Sequence, residues 1–238
     1  MQKIFTLILL ILCLTSYGQK GEFNPFKLIV LQPDTAIIDK TLYADIDSVQ
    51  SDYQTRYYNS IKQMEDLLNF KDYSKEMEQE FKVTQEKLQK EIPLAKAQEE
   101  EVKKFKYFQT ISSYSTEVYN FYFNEYEPFS TIIELPNQSI DITSLNKLAD
   151  SSKSDYVIFF SNIHTETNDG LPILKLTTSL YSKKSNKIIF TKETEGDLNS
   201  RGDMWTCSNT ALSCLLINAV RTSTDEIAPV IAKAQIRQ

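Results

Sequence analysis

Glycine is scarce in this chain, and its distribution constrains the fold more than any motif does. The sequence holds 5 glycines in 238 residues, and none of them lies between positions 22 and 169. Between positions 34 and 127, Pro93 is the only proline. Because glycine and proline interrupt regular structure, a stretch this poor in both predicts a run of helices. The same distribution excludes P-loop and Rossmann nucleotide sites, which need several glycines at fixed offsets.

The apolar residues of this stretch recur at helical spacing. Over residues 42–68, and again over 73–92, they follow steps of three and four, which predicts two amphipathic helices. Acid-to-base pairs four residues apart, such as Glu78–Lys82, run in the favourable direction. We therefore predict a helical hairpin of the coiled-coil type within an excursion of about residues 42–126, with Pro93 in the first turn of a third helix.

The third predicted helix is unusually aromatic. Residues 105–129 contain ten aromatic residues. On a helix these residues cover roughly half of the circumference or more, whereas one contact surface needs a stripe of about 100°. Tyr107, Tyr114 and Phe121 fall on one line of this helix, and we select them as candidate binding residues. Packing of this helix between a sheet and the hairpin is the leading explanation of the wide arc, and a partly exposed surface for a partner, glycan or lipid is the alternative.

The rest of the sequence has the pattern of an α/β domain. Asp141 or Thr143 can cap a short helix, and a C-terminal apolar pattern predicts a last helix that Pro229 should kink or break. Apolar runs predict strands over residues 27–31, 130–135, 155–160, 171–182 and 187–195. The predicted fold class is α/β (α+β), with a mixed sheet of about five strands, packed helices and a long helical insertion. We expect residues 19–238 to form a single domain.

The first eighteen residues have the layout of an export signal. Lys3 precedes an apolar run from Ile4 to Leu14, and Ser16 and Gly18 place small residues near a cleavage position. The run is shorter than the ~20 residues that a transmembrane helix needs. We therefore expect cleavage near Gln19, a periplasmic or secreted mature chain, and no membrane span after cleavage. A retained N-terminal anchor is the alternative.

Charge and cysteine content restrict the partners and the redox chemistry. The formal charge is −6, and no block of Lys and Arg stands clear of acids, so we expect no nucleic acid partner. After signal cleavage only Cys207 and Cys214 remain. On one helix their Cα atoms would be about 10.5 Å apart, whereas a disulfide needs less than about 7 Å. A disulfide is possible only if Cys207 precedes the helix and the chain folds back; two buried free thiols are the alternative.

The sequence offers little catalytic chemistry. His164 is the only histidine, which excludes zinc sites built from several histidines. No Gly-x-Ser-x-Gly elbow is present to offer a nucleophilic serine, so we interpret His164 as a surface residue. We expect no enzyme activity, no catalytic residue, no metal and no cofactor. Paired carboxylates are recognised only in space, so a secreted hydrolase stays an alternative.

The C-terminal part of the sequence resembles a known domain. A short helix (SLNKLAD), the strand that begins at Asp155 (DYVI) and a hairpin with the turn KKSN over residues 183–186 resemble the small α/β domain of bacterial envelope proteins. Examples are the N-terminal domain of TolB and the periplasmic domain of the curli secretion lipoprotein CsgG. The resemblance covers residues 27–33 and about 140–235; the helical segment is an insertion, and the lipidated cysteine is missing.

This resemblance implies an envelope protein that works by binding other proteins and has no catalytic residue. The leading expectation is therefore a non-catalytic envelope module that binds a protein partner. A receptor for a hydrophobic or sugar ligand, using the aromatic helix, is the first alternative.

Overall fold

The computed structural model describes residues 24–71, 78–97, 99–124, 130–199 and 210–235. The predicted signal peptide, residues 1–18, lies outside the described residues, and so does Cys207. Five strands form one sheet: β1 (Lys27–Leu31), β2 (Thr131–Leu135), β3 (Tyr156–Asn168), β4 (Leu171–Ser182) and β5 (Lys187–Gly196). The helices are α1 (Ile46–Asn69), α2 (Glu78–Ala97), α3 (Glu99–Lys103), α4 (Thr110–Asn124), α5 (Ile142–Ser152) and α6 (Ala211–Gln235). Two 3₁₀-helices span Lys40–Asp45 and Tyr107–Gln109.

The sheet is mixed, in the order β2-β1-β3-β4-β5. β1 pairs in parallel with β2 and β3, with Ile29 opposite Ile133 on one side and Val157 on the other. The strands β3, β4 and β5 pair antiparallel. A two-residue turn joins β3 to β4, and its residues, Asp169 and Gly170, both have positive φ, as the tightest hairpin turns require.

One face of the sheet carries the main core. Alternate residues of β1, Leu28 and Val30, are fully buried there against apolar side chains of α1, α4 and α6. The helix α6 lies against β5 and β4, while α4 lies against β2 and β1 and also packs on α6. The predicted break at Pro229 does not occur, since α6 continues through it to Gln235. Pro229 is exposed while Ile227 and Ile231 are buried, so packing holds this helix together.

Part of the opposite face of the sheet is covered by α5. Ile29 and Leu31 of β1 form a second, smaller core there with Leu145 and Ala149 of α5. Of the two predicted caps, Asp141 is the one that the structure shows, because its carboxylate accepts a hydrogen bond from the Ser144 N–H. Helices therefore lie on both faces of a five-stranded mixed sheet, and the predicted fold class is confirmed.

The predicted helical excursion is also present. The helices α1 and α2 pack as a hairpin, with the Tyr57 hydroxyl donating to the Ala95 carbonyl and Phe70 beside Phe81 at 5.5 Å. The third helix does not begin at Pro93, which lies exposed inside α2.

The aromatic stretch is likewise not one continuous helix. After α3 the chain leaves helical structure, passes through the 3₁₀-turn Tyr107–Gln109 and begins α4 at Thr110. Phe105, in the gap, is buried and stacks on the ring of Tyr53 in α1. The stacking of Phe105 on Tyr53 favours the interruption of the helix at this point. Beyond it, the chain returns from the hairpin to the sheet.

Candidate functional site

The topology opens a crevice between the carboxyl ends of β1 and β2. The chain leaves β1 toward α1 on the main-core face, and it leaves β2 toward α5 on the opposite face. The two strands are adjacent and parallel, so their carboxyl ends lie side by side while the connections that follow them run to opposite faces of the sheet. Open α/β sheets bind ligands at such a switch point. A cleft of about 600 Å³ lies there. It is lined by Gln32, Tyr53, Val102, Lys104, Phe105, Lys106, Gln109, Glu134, Pro136 and Asn137.

Glu134 is the central polar residue of this cleft. It sits in the otherwise apolar strand β2 and is half-buried. Its Oε1 accepts hydrogen bonds from Gln32 Nε2 and from Ser112 Oγ, both at 2.8 Å. Burial raises the pKa of the Glu134 carboxyl above its ordinary value, although these two donors oppose the shift. Among the described residues no salt bridge and no hydrogen bond reaches Oε2, so this oxygen can accept one from a ligand.

Amide side chains extend this polar surface from the sheet to the helices. Gln109 Nε2 donates to Gln32 Oε1 at 3.0 Å, and the Lys106 backbone N–H donates to Gln109 Oε1 at 2.7 Å. Gln32 in turn donates to Glu134. These hydrogen bonds form a chain from the Lys106 backbone through Gln109 and Gln32 to Glu134. Each side chain is oriented by the one before it, so the Glu134 carboxylate is held in place before any ligand binds.

An aromatic pair forms another wall of the cleft. The rings of Tyr53 and Phe105 are parallel, with centroids 3.5 Å apart. Burial, and next the negative charge of Glu134, raise the pKa of Tyr53 to about 12. The Tyr53 hydroxyl therefore stays protonated at neutral pH. The cleft thus offers an apolar surface beside hydrogen-bonding groups, as ligand sites commonly do.

Arg56 stiffens the helices behind the cleft. Its guanidinium lies 3.2 Å from Asp52 and 3.4 Å from Glu117, and 4.8 Å from the centroid of the Tyr114 ring. Since Arg56 and Asp52 belong to α1, and Glu117 and Tyr114 to α4, these contacts tie the helical excursion to the helix that covers β1 and β2.

The three candidate residues from the sequence are not brought together. Tyr114 is buried at 5% exposure in the main core, and Phe121 is exposed at 37% on α4. Tyr107 lies in the 3₁₀-turn, half-buried, and its hydroxyl donates to the Ala36 carbonyl. None of the three lines the cleft between β1 and β2. A binding role for any of them stays a prediction.

Of the two cysteines predicted to remain after cleavage, the structure describes only Cys214. Cys214 is buried in the first turn of α6, and its sulfur takes part in a disulfide. Cys207 lies outside the described residues, so its pairing with Cys214 stays a prediction.

Glu134, Gln32 and Gln109 were missed as site residues by the sequence reasoning. A signal for two of them existed: each is a polar residue at the carboxyl end of a short apolar run, KLIVLQ and TIIEL. In a parallel pair these ends meet at one edge of the sheet, where ligands bind. For Gln109 no comparable signal existed.

Within the described ranges, no group of three or more His, Cys, Asp or Glu side chains is placed to hold a metal ion. The predicted absence of a metal or cofactor stays a prediction. Among residues 24–71, 78–97, 99–124, 130–199 and 210–235, none of the helices combines the length and apolar character that crossing a membrane demands.

Neither family models nor curated proteins gave a match to this sequence. Among solved structures, a PelC dodecamer from Paraburkholderia phytofirmans is similar at 10% identity and a TM-score of 0.35, covering 89% of this chain and 95% of that one. A DUF330-family protein from Xanthomonas campestris is similar at 8% identity and a TM-score of 0.33, covering 92% and 89%. A hypothetical protein from Chlamydia trachomatis is similar at 11% identity and a TM-score of 0.34, covering 53% and 84%.

Similarity at this level does not carry function or oligomeric state over to this chain. None of these three structures is a TolB or CsgG domain, and they do not support the specific resemblance drawn from the sequence.

The raised pKa of Glu134 leads to a prediction about stability. A carboxyl group whose pKa is higher in the folded state destabilises the fold above that pKa and not below the unfolded value. We therefore expect Glu134→Gln, which keeps the shape and the Oε1 acceptor, to be at least as stable as the wild type at pH 7. Urea unfolding at pH 7 and at pH 3.5 measures this, and the advantage should vanish at the lower pH. A variant clearly less stable at pH 7 would show that the charge is stabilised where it lies.

Proposed function

We propose that this chain is an exported, non-catalytic binding module of the cell envelope, and that its cleft between β1 and β2 receives a hydrogen-bond-donating group of a partner protein. The observation that carries the proposal is the half-buried carboxylate of Glu134, which opens to the cleft and has no salt-bridge partner among the described residues. A buried acceptor of this kind is stabilised by a donor supplied from outside.

The remainder of the lining suits a loop or terminal segment of a protein. Gln32, Gln109 and Asn137 offer amides that both donate and accept, and the stacked Tyr53–Phe105 pair offers an apolar surface. The exposed side chains of Lys104 and Lys106 place positive charge beside the cleft. Export is part of the proposal and rests on the predicted signal peptide.

A hydrolase is less well supported by the cleft. Glycoside hydrolysis generally needs two carboxylates about 5–10 Å apart on either side of the bond to be cleaved. Of the described residues that line the cleft, Glu134 is the one carboxylate, and the other charged groups there are lysines.

A receptor for a sugar or hydrophobic ligand is the second candidate, and one observation favours it. Aromatic faces beside oriented amides and a carboxylate can bind hydroxyl groups and apolar ring faces together. In that case Tyr53 and Phe105 would provide the aromatic surface, instead of the line formed by Tyr107, Tyr114 and Phe121.

Capture experiments test the proposal. The mature chain, immobilised as wild type, Glu134→Gln, Asn137→Ala and Lys187→Ala, is exposed to detergent-solubilised native envelope, and the retained proteins are identified by mass spectrometry. Lys187 is exposed at the start of β5 and is not part of the cleft lining, so its variant is the matched control. Loss of a hydrogen bond to a charged group costs about 1.5–3 kcal/mol, so Glu134→Gln should weaken binding of the captured partner by about 10- to 150-fold.

The outcomes separate the candidates. A partner retained by wild type and by Lys187→Ala, but weakly by the two cleft variants, supports the proposal. Equal retention by all four chains contradicts a role for the cleft. If no protein is retained, and oligosaccharides added to the wild type shift the side-chain amide resonances of Gln32 and Gln109, the sugar-receptor function replaces it.

A further inference from the structure

His164 lies in a β-bulge on the face of the sheet opposite the main core. The register of β3 against β4 shifts between Ser161 and His164, and Asn162 within the bulge has a positive φ of 51°. His164 Nδ1 is 2.8 Å from the Asn162 carbonyl oxygen, and Nε2 is 3.0 Å from Glu166 Oε1. Both ring nitrogens therefore face oxygen atoms that can only accept a hydrogen bond, provided that Glu166 is ionised.

Only the charged imidazolium satisfies both contacts. A neutral imidazole has one N–H, so its other nitrogen would present a lone pair to an oxygen lone pair. Glu166 does not supply the missing proton, because Lys175 Nζ lies 2.7 Å from its Oε2 and lowers the pKa of this carboxyl. The geometry thus requires that His164 itself carry the proton.

The surrounding charges also favour the imidazolium. Lys175, opposite His164 on β4, is shared between Glu166 and Glu195 of β5, and Glu193 of β5 adds a further negative charge. The neighbouring segment before α1 places Asp39 nearby: its backbone N–H donates to the Thr165 hydroxyl, and its carboxylate accepts from Thr41. The Asn162 carbonyl first, and then Glu166, raise the pKa of His164 above its ordinary value.

The bulge in β3 contacts the segment around Ile37 and lines a second cleft. Ile37 pairs with β3 beside His164: its N–H donates to the Ile163 carbonyl, and its carbonyl accepts from the Thr165 N–H. Ser161 and Asn162 also line a second cleft of about 490 Å³, together with Asp34 and Thr35. A change in the bulge therefore reaches both the Ile37 segment and this second cleft.

We propose that His164 is a pH-sensitive latch: its protonation fixes the bulge at Asn162 and the paired Ile37 segment, and its deprotonation releases them and changes the wall of the second cleft. The latch is independent of the proposed binding at Glu134. The proposal predicts that the wall of the second cleft at Ser161 and Asn162 is ordered while His164 is protonated and less ordered at a pH above its titration midpoint.

Because the chain contains one histidine, NMR on untagged protein follows this group alone. We expect an imidazole titration midpoint above the ordinary value of 6.5. Glu166→Gln should lower the midpoint, since it removes the acceptor charge, whereas the control Lys187→Ala should leave it unchanged. Across the midpoint, the amide protection factors of Ile37 and Thr165 should fall as the pH rises.

His164→Gln tests the mechanical part, since it cannot be charged. Its Ile37 and Thr165 amides should show the low protection of the high-pH wild type at every pH, while circular dichroism shows an intact fold. A midpoint at or below 6.5, or one that does not move in Glu166→Gln, overturns the proposal. Protection of these two amides that ignores the protonation of His164 overturns it as well.

Discussion

Tyr114→Ser should destabilise the protein by about 3–5 kcal/mol, the range measured when a large buried aromatic is truncated. Tyr114 is 5% exposed in the main core, and its ring faces the Arg56 guanidinium at 4.8 Å. The substitution leaves a cavity between α4 and its neighbours and removes a cation–π contact. Chemical unfolding at pH 7 measures the loss.

Phe121→Ser on the same helix is the matched comparison. Phe121 is 37% exposed, so its replacement should cost far less, within about 1 kcal/mol. Tyr107→Ser, half-buried and bonded to the Ala36 carbonyl, should fall between the two. Equal stability of Tyr114→Ser and wild type would contradict the burial of that ring. Weaker partner capture by a folded Phe121→Ser chain would support a binding role for that residue.

Gly196→Ala should also be strongly destabilising, by about 3 kcal/mol, because it overpacks the contact between β5 and α6. A Cβ atom at position 196 would lie 2.1 Å from the Leu215 carbonyl oxygen and 2.4 Å from the Ala219 nitrogen. Both are backbone atoms of α6, so a side-chain rotation cannot relieve the clash. The helix would have to move away from the strand, and its buried face would lose contact. Thermal unfolding of the variant measures the effect.

Gly170→Asn is the control, because Gly170 is required for its positive φ and not for a close contact. Gly170 lies in the turn between β3 and β4 with a φ of 81°, and nothing lies within 4 Å of an added Cβ atom. Asparagine tolerates positive φ better than most residues, so the change should cost little. If Gly196→Ala lost as little stability as Gly170→Asn, the result would contradict the close packing of α6 on β5.

The elements that sequence reasoning located are those with strong local signals. The glycine-free stretch with its helical spacing predicted α1 and α2, and apolar runs predicted four strands to within one residue at each end. The start of β3 was also predicted, but the strand continues eight residues beyond the predicted end at residue 160, to Asn168. The cap at Asp141 was predicted because its hydrogen bond joins residues only three positions apart. The helix start predicted at Pro93 and the break considered at Pro229 are both absent for one reason: both prolines are exposed on helices whose other faces are packed. Local propensity gives way there to tertiary contacts.

What the sequence by itself determined is the kind of element at each place, because spacing and capping act over a few residues. What only the tertiary structure decided is which side chains meet. Gln32, Ser112 and Glu134 stand as far as 102 positions apart, and they meet because β1 and β2 pair in parallel while α4 packs over both. The aromatic residues were likewise sorted into core and surface by α4 packing on α6 and the sheet, since their rings point in several directions from the helix and only one side of it meets the core.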